Sequence, residues 1–132
     1  MIGLDTNVLL RIVMDDGDPQ VALARSFFSR HCSAEAPAFI DVVVLVELVW
    51  LMESRYRLSK NEILSVLDSL LTAPHFLVAE YDAVRAARVV YLKNSSDFAD
   101  ALLGEINRRA GCSATATFDR KAARLDGFTL VR

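Results

Sequence analysis

The sequence predicts an α/β fold built on a mostly parallel sheet. Three observations predict it: short apolar and β-branched segments recur along the chain, longer stretches of helical periodicity separate them, and capping residues mark most of the changeovers. Parallel strands need crossovers of this kind, whereas hairpins would need only tight turns. At 132 residues the chain is long enough to bury one ordinary core, and no linker, repeat or low-complexity tract interrupts it, so residues 1–132 are expected to form a single domain.

Ile2 to Leu4 reads as a short buried strand that ends at Asp5. Thr6 to Val13 and Pro19 to His31 carry apolar residues at helical spacing, the second opened by Asp18 as N-cap with Pro19 behind it. Ala38 to Ile40 is the next strand, and Asp41 caps a helix through Val42 to Glu53. Ser59-Lys60-Asn61-Glu62 forms a capping box for a helix reaching about Leu71, which Pro74 prevents from continuing. Phe76 to Ala79 is a third strand, and Asp82 is expected to cap a helix from Ala83 to about Lys93. Ser95 and Ser96 precede a helix from Asp97 to Arg109 that Gly111 closes. Ser113 to Phe118 and Phe128 to Val131 supply the last strands.

Composition narrows the function classes. Fifteen Lys and Arg against seventeen Asp and Glu leave a net charge of -2, which excludes a polybasic nucleic-acid sponge and a highly charged disordered tail. The densest apolar run, Val42 to Met52, is eleven residues with Glu47 inside it, short of the roughly 20 that a bilayer requires. The start, Met-Ile-Gly-Leu-Asp, carries no basic leader, and Cys32 and Cys112 have no metal-spacing companions, so a cytosolic domain with two apolar-packed thiols is expected. With 53% hydrophobic residues, part of the apolar surplus is expected at an interface. His31 and His75 have no positional partner and receive no catalytic role.

The acidic residues carry the chemistry. Asp5 follows the first strand and Asp119 the penultimate one, so both belong at the carboxyl edge of a sheet, where α/β folds gather ligand groups. Glu47 is the only charge in Val42 to Trp50, and its carboxylate is expected to need a partner there, with Arg55 and Arg11 as candidates. Asp97 and Asp100 stand three apart at the opening of one helix and share a face. Each has an ordinary alternative as cap, turn or ion pair. As a set they are hard oxygen donors with no Cys/His rival, which points to Mg²⁺ or Mn²⁺ rather than zinc. Two carboxylates about 5 Å apart repel by roughly 3 kcal/mol at an effective dielectric near 20, so several converge only with a cation or with raised pKa values. Such a set suits metal-assisted phosphoryl transfer.

Leu4-Asp5-Thr6-Asn7, Val46-Glu47-Leu48-Val49-Trp50, Asp97-Phe98-Ala99-Asp100-Ala101-Leu102 and Thr117-Phe118-Asp119-Arg120-Lys121 occur in the order and spacing of the four acidic motifs of PIN-domain ribonucleases. The chain resembles that family over essentially its whole length and, more narrowly, the VapC toxins of toxin-antitoxin operons. The resemblance implies a PIN-like three-layer α/β/α sandwich with a mostly parallel central sheet. It implies that Asp5, Glu47, Asp100 and Asp119 are the catalytic quartet binding Mg²⁺ or Mn²⁺, with Asp97 as an additional acidic ligand and Thr6, Asn7 and Thr117 in support. The implied activity is hydrolysis of phosphodiester bonds in structured RNA such as tRNA or ribosomal RNA, in the cytoplasm, under the control of a VapB-like antitoxin. A homodimer is also expected. The helices from Pro19 to His31 and Val42 to Arg55 are the candidates for the antitoxin groove, offering Phe27, Phe28, Val49 and Trp50.

The sequence departs from many relatives at Gly104-Glu105, where small apolar residues are common; Glu105, about a turn beyond Asp100, faces either the site or solvent, and solvent is the favoured reading. Residues 108–132 hold six basic against two acidic residues, a net +4, which leaves -6 on the preceding 107. Arg120, Lys121 and Arg124 in that segment are the candidates for holding RNA phosphates. The alternatives are a PIN-like nuclease for other nucleic acid, in RNA processing or on DNA, and a non-cleaving PIN-like binding module. The complete acidic set argues against the latter.

Overall fold

The computed structural model describes residues 1–132 and divides into two compact units, Met1–Ala79 and Glu80–Arg132. In the first unit, β1 (Ile2–Gly3), β2 (Ala38–Ile40) and β3 (Phe76–Val78) form a parallel sheet in that order. Ile2 stands opposite Ala38 and Ala38 opposite Phe76. Helices α1 (Thr6–Val13), α2 (Pro19–His31), α3 (Val42–Ser54) and α4 (Lys60–Thr72) complete the unit.

The helix starts form where the capping residues dictate. The Asp5 carboxylate accepts the Val8 N–H at 2.9 Å, Asp18 accepts Gln20 N–H at 2.8 Å, and Asp41 accepts Val43 N–H at 3.2 Å. At α4 the capping box closes in both directions, with Ser59 Oγ accepting Glu62 N–H at 3.2 Å and Glu62 accepting Ser59 N–H at 3.1 Å. The Ser59 N–H first, and the Ser59 hydroxyl with it, hold the Glu62 carboxyl below its ordinary range.

Burial on α3 differs from what its composition implied. Leu45, Leu48, Val49 and Met52 are buried at helical spacing, while Val43, Glu47 and Trp50 are exposed on the opposite face. Glu47 therefore lies in water and needs no partner, which corrects the expectation of a carboxylate enclosed by apolar residues. The arginines proposed for it are engaged elsewhere. Buried Arg11 binds Asp16 at 3.0 Å and Asp18 at 3.2 Å, and Arg55 lies 5.7 Å from the centre of the Tyr56 ring. Burial opposes the Arg11 charge, yet Asp18 and Asp16 outweigh it and raise the guanidinium pKa. Asp16 is held low, first by the Asp18 N–H and then by the Tyr56 hydroxyl and Arg11. This network pins the Asp15-to-Asp18 loop between α1 and α2.

The second unit contains α5 (Tyr81–Lys93), α6 (Phe98–Arg109), β4 (Thr115–Thr117), a 3-10 turn (Ala122–Arg124) and β5 (Phe128–Leu130). β4 and β5 pair in parallel, with Thr115 opposite Phe128. Glu80, in the left-handed region at φ 52°, precedes α5 and makes no side-chain cap. Asp82, expected as the cap, falls inside the first turn, where the helix dipole favours its charge. Tyr91 of α5 meets Phe98 of α6 edge-on at 5.8 Å. Gly111 at φ 98° ends α6 as expected, its N–H donating to Arg108 and that of Cys112 to Asn107.

Packing explains the Gly104-Glu105 departure. A Cβ at position 104 would come within 2.6 Å of Phe128 Cε2, so glycine lets that ring lie against α6. Glu105 is mostly covered rather than solvated, held by Arg108 at 2.8 Å and Arg109 at 3.8 Å. Cys32 is buried as expected, but Cys112 is exposed. No helix is long and apolar enough to cross a membrane.

Gly104→Ala is expected to destabilise the protein by about 1–3 kcal/mol, because the Phe128 ring must shift in a packed setting. Urea unfolding of Gly104→Ala, Phe128→Leu and the double variant should give a double variant more stable than the sum of the singles. Strict additivity would show that the ring already has room to move.

Candidate active site

In the first unit, Asp5 stands where β1 gives way to α1, exposed, with one oxygen occupied by the cap and the other open. Thr6 is half-buried at the first position of α1, and Asn7 is exposed behind it. Asp5 and Asn7 border a groove of about 670 Å³ whose apolar wall includes Val8, Leu23 and Phe27. Glu47 lies on the exposed face of α3, one turn before Trp50, which is 64% exposed.

In the second unit, Asp97 occupies the N-cap position of α6 without making a side-chain cap bond. A carboxylate that could have satisfied the helix start is left uncommitted. Asp100 is half-buried in the first turn of the same helix. Asp119 follows β4, and its turn is fixed by several bonds. Its N–H donates to Thr117 Oγ1 at 3.0 Å, and its Oδ1 accepts the N–H groups of Lys121 at 2.8 Å and Ala122 at 3.2 Å. The Thr117 hydroxyl thus fixes the backbone of the turn at Asp119.

These carboxylates share a field. Asp100 is pushed above the ordinary carboxylate range, first by burial and then by the negative charges of Asp97 and Asp119, with Lys121 opposing. Within neither unit do three or more acidic, histidine or cysteine side chains close to metal-ligating distances. Electrostatic reach is longer than coordination distance, so the two observations are compatible. The donors themselves fit a hard divalent cation: carboxylate oxygens, one half-buried and repelled by its neighbours, with a single opposing lysine. Arg120, Lys121 and Arg124 are all exposed beside Asp119.

The expected antitoxin-facing set changes. Val49 is 2% exposed and closed to a partner, and half-buried Phe28 has one ring face on Phe76 at 5.0 Å. Leu23, overlooked in the sequence, is 71% exposed on α2. Phe118 was also overlooked; placed inside a predicted strand, it instead lies beyond β4 and in water.

Two parallel α/β units, one with Asp5 just beyond β1 and the other with Asp119 just beyond β4 and Asp97 at a helix start, define an α/β protein that places carboxylates at its strand ends. The PIN domain model matches residues 2–128, and the chain belongs to that family. It is 27% identical over 128 residues to a VapC ribonuclease of Aquifex aeolicus (strain VF5), a match covering 97% of this chain and 93% of the relative.

The raised Asp100 pKa has a signed consequence for stability. Asp100 binds its proton more readily folded than unfolded, so ionisation at neutral pH subtracts stability. The deficit disappears as pH falls through the raised value toward the unfolded one. In EDTA at pH 7, Asp100→Asn is expected to melt higher than wild type by on the order of 2 °C, with the difference shrinking toward about pH 4. Thermal melts over that pH range check it. A variant that melts lower at pH 7 would mean that Asp100 accepts stabilising bonds outweighing the repulsion.

Proposed function

We propose that this chain is a VapC-type endoribonuclease of the cytoplasm, with residues 1–132 working as one nuclease domain under the control of a VapB-like antitoxin. The observation that carries the reading is the PIN domain match over residues 2–128, and the crowding of Asp100 by Asp97 and Asp119 supports it. The name of the Aquifex aeolicus relative supports ribonuclease activity.

Asp5, Glu47, Asp100 and Asp119 are the ligands proposed for Mg²⁺ or Mn²⁺, with Asp97 as a further one. Bound there, the cation would supply Lewis acidity toward a phosphodiester and a lowered pKa for attacking water. The chain's own residues do the remaining work. The Lys121 and Ala122 amides hold the Asp119 carboxylate in a fixed orientation, and the Thr117 hydroxyl holds its backbone N–H. Asp5 presents its open oxygen from a capped helix start, which limits the freedom of its side chain. Thr6 and Asn7 support Asp5 from the first turn of α1. Arg120, Lys121 and Arg124 bind substrate phosphates and set the strand's position without reading its sequence. Structured RNA such as tRNA or ribosomal RNA is the proposed substrate.

Purified protein is expected to cleave RNA with Mg²⁺ or Mn²⁺ and to stop in EDTA. Asp5→Asn and Asp100→Asn should fall to the EDTA level, and Asp97→Asn should lose less. Gel assays on RNA and on DNA of the same sequence separate the alternatives. Preferential DNA cutting would replace the ribonuclease reading, and binding without cutting would leave a non-cleaving module.

A homodimer and an antitoxin complex are proposed as partners, the antitoxin placing an apolar segment along Leu23 and Phe27 and an arginine toward Asp5. Expression of the chain should arrest growth, and co-expression of the protein from the adjoining reading frame should relieve it. Leu23→Glu is expected to keep the arrest and lose the relief. Relief that survives Leu23→Glu would move the antitoxin elsewhere, and light scattering that shows only monomer at high concentration would remove the dimer.

A further inference from the structure

Phe118 is the most exposed large hydrophobic residue of the chain, at 82%. It does not sit on a loose end. Thr117 before it accepts the Val131 N–H through its carbonyl at 2.8 Å and the Asp119 N–H through its hydroxyl at 3.0 Å. Asp119 after it is tied to the Lys121 and Ala122 amides. The ring is therefore held out in water by a turn fixed on both sides, next to a candidate catalytic carboxylate.

Its surroundings indicate what would cover it. Residues 118–125 carry Arg120, Lys121 and Arg124 against Asp119, a net +2, and all three cations are exposed. Protein interfaces favour Phe and Arg but are depleted in the Lys and Asp that Lys121 and Asp119 supply beside the ring. A single nucleic-acid strand instead offers an anionic backbone and flat π-faces together, which is the combination that cations interleaved with an aromatic ring accept.

We propose that Phe118 is a base-stacking residue, positioning an unpaired nucleotide beside Asp119 while Arg120, Lys121 and Arg124 hold the adjoining phosphates. The inference rests on the nuclease reading and assigns Phe118 to a base that has left its own stack. Stacking is tolerant of base identity because every base has a π-face, so Phe118 sets position and the need for an unpaired nucleotide rather than sequence.

The test measures binding separately from cleavage. Fluorescein-labelled single-stranded RNA of about 12 nucleotides and an abasic ribose-phosphate strand of equal length are titrated by anisotropy, with calcium replacing magnesium so that the strand stays intact. Phe118→Ala should weaken binding of the base-bearing strand roughly tenfold and leave the abasic strand unchanged. Phe118→Tyr should restore binding, and Phe118→Leu, which keeps apolar bulk without a π-face, should behave as alanine. Lys121→Gln should weaken both strands alike and lower the salt slope by about one.

Equal affinities of wild type and Phe118→Ala for the base-bearing strand, or an equal loss on both strands, would overturn the stacking role while leaving the nuclease reading intact. Rescue by Phe118→Leu would overturn it in favour of plain apolar contact. A change in sedimentation with Phe118→Ala and no change in RNA affinity would assign the ring to a protein contact. A wild-type chain that neither binds nor cuts RNA would overturn both readings together.

Discussion

Parallel strand pairing is the constraint on which the rest of this structure depends. In the first unit β1, β2 and β3 run the same way, so their carboxyl ends fall on one edge, and a helix must follow before the chain can return. Two of those helices begin on an aspartate that caps them, Asp5 for α1 and Asp41 for α3. The second unit repeats the logic with β4 and β5 in parallel, Asp119 following β4 and capping the turn that leads on. An acidic edge is thus a by-product of how a parallel sheet is connected, available for chemistry once the caps are in place.

Capping and metal binding are consequently compatible roles for one carboxylate. An ionised aspartate has two oxygens and about four lone-pair sites. Asp5 and Asp119 each spend one oxygen on backbone N–H groups, which fixes the side chain and leaves the second oxygen outward. Asp97 inverts the pattern, standing at a helix start without making the cap bond. Asp100, one turn along, then bears the consequence, with burial and two like charges on one side and Lys121 alone on the other. Stability would favour capping with Asp97 or neutralising Asp100. The chain does neither, as expected where an arrangement serves binding more than folding.

Local signals made the helices legible in the sequence. The starts of α2, α3 and α4 follow from Asp18 before Pro19, from Asp41, and from the Ser59/Glu62 capping box, and the end of α6 follows from Gly111, because each is decided within about four residues. Asp82 misled because left-handed Glu80 starts α5 with no side-chain cap, a backbone choice that carries no residue signature. Glu47 misled for a different reason. Val42 to Trp50 is apolar on nearly every face, so composition could not say which stripe is left in water; packing leaves out the one holding Val43, Glu47 and Trp50. The boundary between the two compact units after Ala79 carries no glycine, proline or polar linker in the sequence. The acidic motifs themselves were read from residue type and order, while the open oxygen of Asp5, the uncapped Asp97 and the crowding around Asp100 needed coordinates.

On the proposed reading, a nuclease of acidic net charge faces a further difficulty, because the carboxylates that would hold its cation repel its polyanionic substrate. The chain as a whole carries -2 and gives no long-range attraction to RNA. Attraction must be local, within roughly the 8–10 Å over which charge is felt at physiological salt. Placing Arg120, Lys121 and Arg124 within five residues of Asp119 meets that requirement. The 3-10 turn from Ala122 to Arg124, begun by the bonds from Asp119, ties the cations to the carboxylate as one rigid piece. Lys121 illustrates the balance: it lowers the Asp100 pKa but not enough to offset burial and the two neighbouring aspartates. On the proposed reading the carboxylate group would hold a cation while the rim beside it stays basic, and one short segment would serve metal and phosphate without either charge cancelling the other.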